Sequence, residues 1–334
     1  MGDRDPRRIA LGPGAEFDLI RRFLADAPPL PSEVLVGPGD DAAVLEGGWV
    51  VTADMSVEDV HFRRAWLSDR EIGYRAGAAA LSDLAAMAAR PVAVLVSLAG
   101  PPRGAADLAE VHAGVREIAA EVGSSVIGGD VSGSPGPLVI DVVALGRTDR
   151  PLLRSGARPG DEVWVTGPLG AAAAAVRAWE SGAEPSAALR LAFARPRPRI
   201  GVARRLAEVG GVNALIDVSD GLAGDAGHVA AASGVRITLE AAQVPVAEAA
   251  VAAFGGAAAL ALALHGGEDY ELCFVSGRGA LDTVWVDEAE REEGFALTRV
   301  GRVDEGEGVW LEQPDGTSAR LARGGFDHLR EGRA

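Results

Sequence analysis

Seven aspartates stand beside glycines or at the ends of apolar runs. They are Asp40 and Asp41 in Gly39-Asp40-Asp41, Asp54 after Thr52-Ala53, Asp83 after Ser82, Asp130 after Gly128-Gly129, and Asp217 and Asp220 in Asp217-Val218-Ser219-Asp220-Gly221. Surface carboxylates usually occupy polar helix faces or loop tips, whereas each of these follows a segment that favours burial. Hard oxygen ligands gathered this way suit Mg²⁺, and Mg²⁺ suits the phosphates of a nucleotide. Asp83 is the sharpest of them, because it shares a helix face with Ala79, Ala80 and Met87. A carboxylate buried there costs several kcal/mol unless a cation or a hydrogen-bond network compensates it.

The other positions read two ways. Gly37–Asp41 is a tight loop for which Gly-Asp is ordinary turn chemistry. Adjacent side chains project in different directions, so one of the pair can ligate a metal while the other contacts nucleotide or backbone. Asp54 is expected at the C-terminal end of a strand, where α/β proteins present ligands. Gly128-Gly129-Asp130 is expected to end a strand and to let backbone approach a ligand. Asp217–Gly221 joins a strand to a helix, where Ser219 either caps the helix or joins a phosphate site at its N-terminus. Gly266–Tyr270 reads as a turn before a strand, and Gly167–Gly170 as strand–turn–helix punctuation without the third glycine of a dinucleotide loop. His61 has no neighbouring Ser or Cys and makes a poor case for acyl transfer.

The elements that must position these residues alternate in a mixed α and β order. Val34–Val36, Ala43–Leu45 and Trp49–Ala53 read as strands bounded by turn residues. Asp69–Ala89 reads as a helix capped by Ser68 or Asp69 and ended by Pro91. Val92–Leu98 follows as a strand, then a helix at Ala105–Val122 and strands at Ser125–Ile127 and Leu138–Leu145. After the Arg-, Pro- and Gly-rich stretch Arg147–Pro159, a second unit reads as strand Glu162–Thr166, helix Ala171–Ser181, helix Arg199–Val209, strand Ala214–Asp217, helix Leu222–Ala232, and strands Arg236–Leu239 and Tyr270–Val275. The expected fold class is α/β of mixed order, in two domains, 1–147 and 148–334.

Composition narrows the function. The 334 residues are 48% hydrophobic, enough for two good cores. The formal charge of −16 argues against a nucleic-acid partner. It also means that any polyanionic substrate needs metal between itself and the carboxylates. The chain has no lysine, which removes a P-loop. Cys273 is its only cysteine and lies in the apolar run Glu271–Val275, so it reads as a core residue, and neither a disulfide nor a zinc site is expected. No signal peptide or membrane-spanning run is visible, and a soluble, cytoplasmic protein is expected.

The order GPGDDAAVL, VTADMSVEDVHF, LSDLAAMAA, IGGDVSG, LLRSGARPGD, DVSDGL and GGEDYELCF resembles the thiamine-monophosphate kinase family over about residues 12 to 329. Motifs near the two ends, Gly14–Ile20 and Gly325–His328, belong to the same resemblance. It implies an aminoimidazole ribotide synthetase-like fold, with an N-terminal sheet that pairs across a homodimer and a C-terminal α/β domain. It implies transfer of the ATP γ-phosphoryl group to thiamine monophosphate, the last step of thiamine diphosphate formation. Asp41, Thr52, Ala53, Asp54, Asp83, Asp130, Asp217 and Asp220 then fall at Mg²⁺ ligand positions. Ala53 replaces the usual hydroxyl residue and offers only its carbonyl. Gly129, Asp130, Arg154 and Ser219 fall at ATP contacts, with Asp220 and Arg154 as the catalytic pair. His61, Glu268 and Phe326 fall at contacts to the thiamine moiety, where an aromatic ring suits a cationic one.

The rivals are other ATP-using enzymes of the same superfamily and a non-catalytic acidic metal-binding protein. Selenophosphate synthetase uses a reactive N-terminal Cys or selenocysteine, and hydrogenase-maturation relatives use a C-terminal cysteine; Cys273 fits neither. A metal-binding protein leaves Arg154 and the glycine-rich approaches without a purpose.

Overall fold

The computed structural model describes residues 7–12, 14–101 and 105–321. The first half opens with helix α1 (Ala15–Ala25). Strands β1 (Val34–Val36), β2 (Ala43–Leu45), β3 (Trp49–Val57), β4 (Arg90–Gly100), β5 (Val126–Gly133) and β6 (Val139–Arg147) form one sheet in the order β1-β2-β3-β6-β4-β5. All its pairings are antiparallel except β4 with β5. Helices α2 (Asp69–Ala86) and α3 (Ala105–Glu121) cover one face.

The second half carries the helices α4 (Ala171–Glu180), α5 (Ala187–Ala194), α6 (Ile200–Val209), α7 (Leu222–Ser233), α8 (Glu248–Phe254), α9 (Gly256–His265) and α10 (Thr283–Glu293). Its strands are β7 (Glu162–Thr166), β8 (Val212–Val218), β9 (Arg236–Glu240), β10 (Glu271–Ser276), β11 (Leu297–Asp304), β12 (Gly308–Glu312) and β13 (Ser318–Arg320). They form a seven-stranded sheet in the order β13-β12-β9-β11-β7-β10-β8. Cys273 is fully buried in it, as its apolar run predicts.

Helix α2 is the part that the site depends on. Ser68 starts it with a capping box, accepting from the Glu71 backbone N–H while the Glu71 side chain accepts from the Ser68 N–H. Glu71 also receives both arms of Arg190 from α5, at 2.7 and 2.8 Å. Burial runs almost all the way round α2, because it packs on the sheet, on α3 and on the second half of the chain. Small residues make this possible. A Cβ on Gly73 would lie 1.8 Å from the Val111 carbonyl oxygen, and one on Gly114 would lie 2.0 Å from that of Arg70. Backbone therefore meets backbone where α2 crosses α3.

The sequence-derived boundaries shift in ways that matter. Helix α2 stops at Ala86 because Met87 caps it and Ala88 takes a left-handed φ of 52°, so Pro91 is not the stop. Pro91 lies inside β4, opposite Gly146 at an irregular register. Strand β3 continues to Val57 and β5 to Gly133, which puts Asp54 and Gly128–Asp130 inside strands rather than at their ends. Helices α1, α5, α8, α9 and α10 and strands β11–β13 have no counterpart in the expected elements.

The contact between α2 and α3 yields a stability prediction. Gly73→Ala is expected to cost about 3 kcal/mol in urea unfolding, because neither backbone can yield. Gly256→Ala, in open space on α9, is expected to be neutral or stabilising by up to about 1 kcal/mol.

Candidate active site between the two halves

The loop between β1 and β2 is clamped from outside. Gly37 N–H donates to the Arg7 carbonyl at 2.8 Å, and Gly39, at φ 118°, packs its α-carbon against the Ile9 carbonyl, where a Cβ would sit 2.3 Å from the oxygen. Asp40 and Asp41 then diverge, as adjacent residues must. Asp40 accepts from the backbone N–H of Asp41 at 3.0 Å and of Arg154 at 3.2 Å, tying the loop to the connection between the halves. Burial and then the neighbouring Asp41 push its carboxyl up to about 7. Asp41 Oδ1 receives Arg154 Nη2 at 2.5 Å, while its buried Oδ2 has no partner among the described residues.

Strand alternation sets the next residues. Val50, Thr52, Asp54 and Ser56 face α2; Ala53 and Met55 are exposed on the opposite face. The Thr52 hydroxyl lies 2.5 Å from Asp83 Oδ2 and 3.3 Å from the Asp41 carbonyl oxygen, and its one proton serves the shorter contact. Next along α2, Ser82 donates to Asp217 Oδ2 at 2.7 Å. Asp83 and Ser82 thus reach the two halves of the molecule from one helix turn.

Asp41, Asp83 and Asp217 each place a carboxylate oxygen within 4.8 Å of the others. They arrive from a loop, a helix and the end of β8. Burial raises the pKa of Asp83 well above the usual carboxylate range, helped by the charges of Asp217, Asp54 and Asp41. Asp217 is raised to about 7, by burial first and Asp41 second. Burial works against the Arg154 charge, but Asp41, Asp40 and Asp217 outweigh it and hold the guanidinium cationic.

The remaining candidates fall in three other places. Asp54 is pushed up to about 6 by burial and by Glu268, with Arg75 opposing. Glu268 pairs with Arg75 and accepts from the Tyr270 hydroxyl at 2.9 Å. Asp220 groups with Asp225 and His228, whose ligand atoms also lie within 4.8 Å of one another. Burial first, then Arg154, lowers the His228 pKa to about 3, and its buried Nδ1 has no partner among the described residues. Asp130 is exposed on edge strand β5, and its register through Ser97 and Asp141 to Met55 puts it on the sheet face opposite Thr52 and Asp54. Within one chain, therefore, Asp130 does not join the other aspartates.

Other expectations acquire a different physical reason. Ser219 does not cap α7: the N-cap is Gly221, and the Asp225 carboxylate instead accepts from the Asp220 N–H at 3.1 Å. The Ser219 carbonyl accepts from the Glu268 N–H at 2.8 Å. Gly129 is required by its neighbour strand, since a Cβ there would lie 1.8 Å from the Val96 carbonyl oxygen. His61 Nδ1 accepts from the Val57 N–H at 2.9 Å, bracing the turn after β3. Phe326 lies outside the described residues. Arg75, Ser82 and Tyr270 were missed by sequence reasoning. The signal for the first two was their α2 spacing, since Arg75, Ala79 and Ser82 share a face two turns long.

Two family models match the chain: AIR synthase related protein, N-terminal domain, over residues 39–148, and AIR synthase related protein, C-terminal domain, over residues 158–312. A thiamine-monophosphate kinase of Mycobacterium tuberculosis is 41% identical over 275 residues, covering 78% of this chain and 80% of that protein. One from Methanopyrus kandleri is 40% identical, covering 92% of this chain and 96% of the relative. Among solved structures, thiamine-monophosphate kinase from Stenotrophomonas maltophilia superposes with a TM-score of 0.74 at 35% identity, over 93% of this chain and 99% of that one. The structure described as "AaThiL complexed with AMPPCP and TMP" gives a TM-score of 0.80 at 29% identity, over 95% of this chain and 97% of that one. With its two mixed sheets and the carboxylates gathered between them, the chain belongs to the thiamine-monophosphate kinase family of AIR synthase related proteins.

Proposed function

We propose that the protein transfers the γ-phosphoryl group of ATP to thiamine monophosphate, giving ADP and thiamine diphosphate in the cytoplasm. The observation that carries the reading is the meeting of Asp41, Asp83 and Asp217 from both halves of the fold, in a chain whose relatives are thiamine-monophosphate kinases. The bond formed joins an oxygen of the acceptor phosphate to the γ-phosphorus, and the bond broken is that from the γ-phosphorus to the β,γ-bridging oxygen. The acceptor oxygen is already anionic, so no strong general base is needed. The difficulty is electrostatic, because two polyanions must meet inside an acidic protein.

The residues fit Mg²⁺. Buried Asp41 and Asp217 with partly buried Asp83, one oxygen of them unpartnered, form a hard donor set that among the described residues has Arg154 as its charged partner. Asp41, Asp54, Asp83, Asp217 and Asp220, with Thr52 and the Ala53 carbonyl, would hold the ions, and Asp130 would join them only across a homodimer interface. Mg²⁺ bound there would supply charge neutralisation of the phosphates. The protein's own groups then divide the work. Arg154 and Ser219, with Gly129 and Asp130, receive ATP, and Arg154 adds a cationic clamp and forms the catalytic pair with Asp220. His61 and Glu268, with Phe326, receive the thiamine moiety.

Two further points belong to this reading. The chain divides into units 1–147 and 148–334, which the two separate sheets and the two family matches support. It also works as a homodimer paired through the first sheet. Among the described residues that sheet carries helices on one face only, while Met55 on the other face and Ile127 and Val131 on edge strand β5 are 56%, 65% and 68% exposed. Gly129 and Asp130 then lie at the interface. No helix among the described residues is long and apolar enough to cross a membrane.

Purified protein with Mg²⁺ and ATP is expected to release ADP only when thiamine monophosphate is added; a rate equal to that of the substrate-free control would end the proposal. Asp83→Asn is expected to lower turnover at least about a hundredfold while the protein stays folded. Excess Mg²⁺ should raise the melting temperature of the wild type by a few degrees, and Asp217→Asn should lose most of that shift, read by calorimetry. Met55→Asp is expected to yield a monomer by light scattering.

A further inference from the structure

We propose that Arg75 is a positioning residue that aims one oxygen of Glu268 at the aminopyrimidine of the substrate, an inference that rests on the functional reading above. Arg75 lies on α2, two turns before Ser82, and is 4% exposed. Its guanidinium sits 3.8 Å above the Phe193 ring, and Nη1 donates to the Phe193 carbonyl at 2.7 Å. Held at that end, Nη2 reaches Glu268 Oε2. The Tyr270 hydroxyl donates to the same oxygen at 2.9 Å.

Both donors therefore converge on Oε2, and no described residue donates to Oε1. The Glu268 side chain is 26% exposed, so Oε1 is not sealed in the core. The backbone is fixed as well. Glu268 takes a φ of 67°, its N–H donates to the Ser219 carbonyl, and Gly267 before it packs so closely on Ser219 that a Cβ would lie 2.2 Å from that oxygen. A carboxylate with one oxygen fully engaged and the other without a donor is a directional acceptor.

Thiamine monophosphate offers a matching group, the exocyclic amine of its aminopyrimidine, attached to a cationic thiazolium that a carboxylate also favours. The planar fork of Arg75 supplies two fixed bonds where a lysine supplies one point charge. Charge alone would survive replacement by lysine; aim would not.

The test is steady-state kinetics on full-length variants. Arg75→Lys is expected to raise KM for thiamine monophosphate about tenfold, the cost of one misdirected charge-assisted bond, with KM for ATP changed less than about twofold. Tyr270→Phe, which keeps the ring and removes one donor, should raise the same KM about threefold and guards against a misfolded Arg75→Lys. Oxythiamine monophosphate, with a carbonyl oxygen in place of the amine, should be discriminated against by wild type and less so by Arg75→Lys. Adding Arg75→Lys to Glu268→Gln should change KM little, because the two act through one contact. Equal effects on both substrates, full additivity with Glu268→Gln, or unchanged discrimination would each overturn the proposal. Absence of any thiamine-monophosphate-dependent turnover in the wild type would instead overturn the functional reading.

Discussion

Like charge brought together under burial is the constraint on which this molecule turns. Asp41, Asp83 and Asp217 would each be more stable apart and in water, and desolvation with mutual repulsion raises Asp83 and Asp217 toward neutrality. They stay together because rigid elements hold each one. The β1–β2 loop is clamped by the segment before α1, α2 cannot rotate between its neighbours, and β8 is paired along its length with β10. Folding supplies the energy that keeps the carboxylates in place, and an arriving cation recovers part of it.

Helix α2 converts that constraint into geometry. Its glycines and alanines let it pass through the middle of the molecule, with backbone contact to α3 on one side and the second half on the other. Three polar side chains of this helix each reach a different place: Arg75 to Glu268, Ser82 to Asp217, and Asp83 to Thr52. The site is accordingly a property of one helix touching two sheets. The connection between the halves contributes in the same way, since Arg154 binds Asp40 through its backbone and Asp41 through its side chain.

Much of this was legible in the residues, and the limits are physical. Asp83 announced itself because a carboxylate on an Ala-lined helix face has few innocent explanations. Asp40 and Asp41 could be separated in role by strand alternation but not assigned, since nothing local says which of them meets Arg154, 113 to 114 residues away. Asp130 looked equivalent to the others because its neighbours are similar; only the register across β5, β4, β6 and β3 shows that it occupies the other face. Helices α5, α8 and α9 escaped notice because Ala-rich stretches have weak periodicity, and their helicity is fixed by packing rather than by pattern. Arg75 was visible as a residue, but its role depends on a carboxylate 193 positions further on.

The two halves of the site share one device. Asp41 gives Oδ1 to Arg154 and keeps a buried Oδ2 without a partner; Glu268 gives Oε2 to Arg75 and Tyr270 and keeps Oε1. In each case an arginine anchored elsewhere in the fold fixes the carboxylate, while a single oxygen stays available. A fully paired carboxylate would be a structural ion pair with nothing left to offer. Half-satisfaction avoids that outcome. It gives a reason for an acidic chain without lysine to place arginine at these two points: Arg154 beside Asp41 and Arg75 beside Glu268.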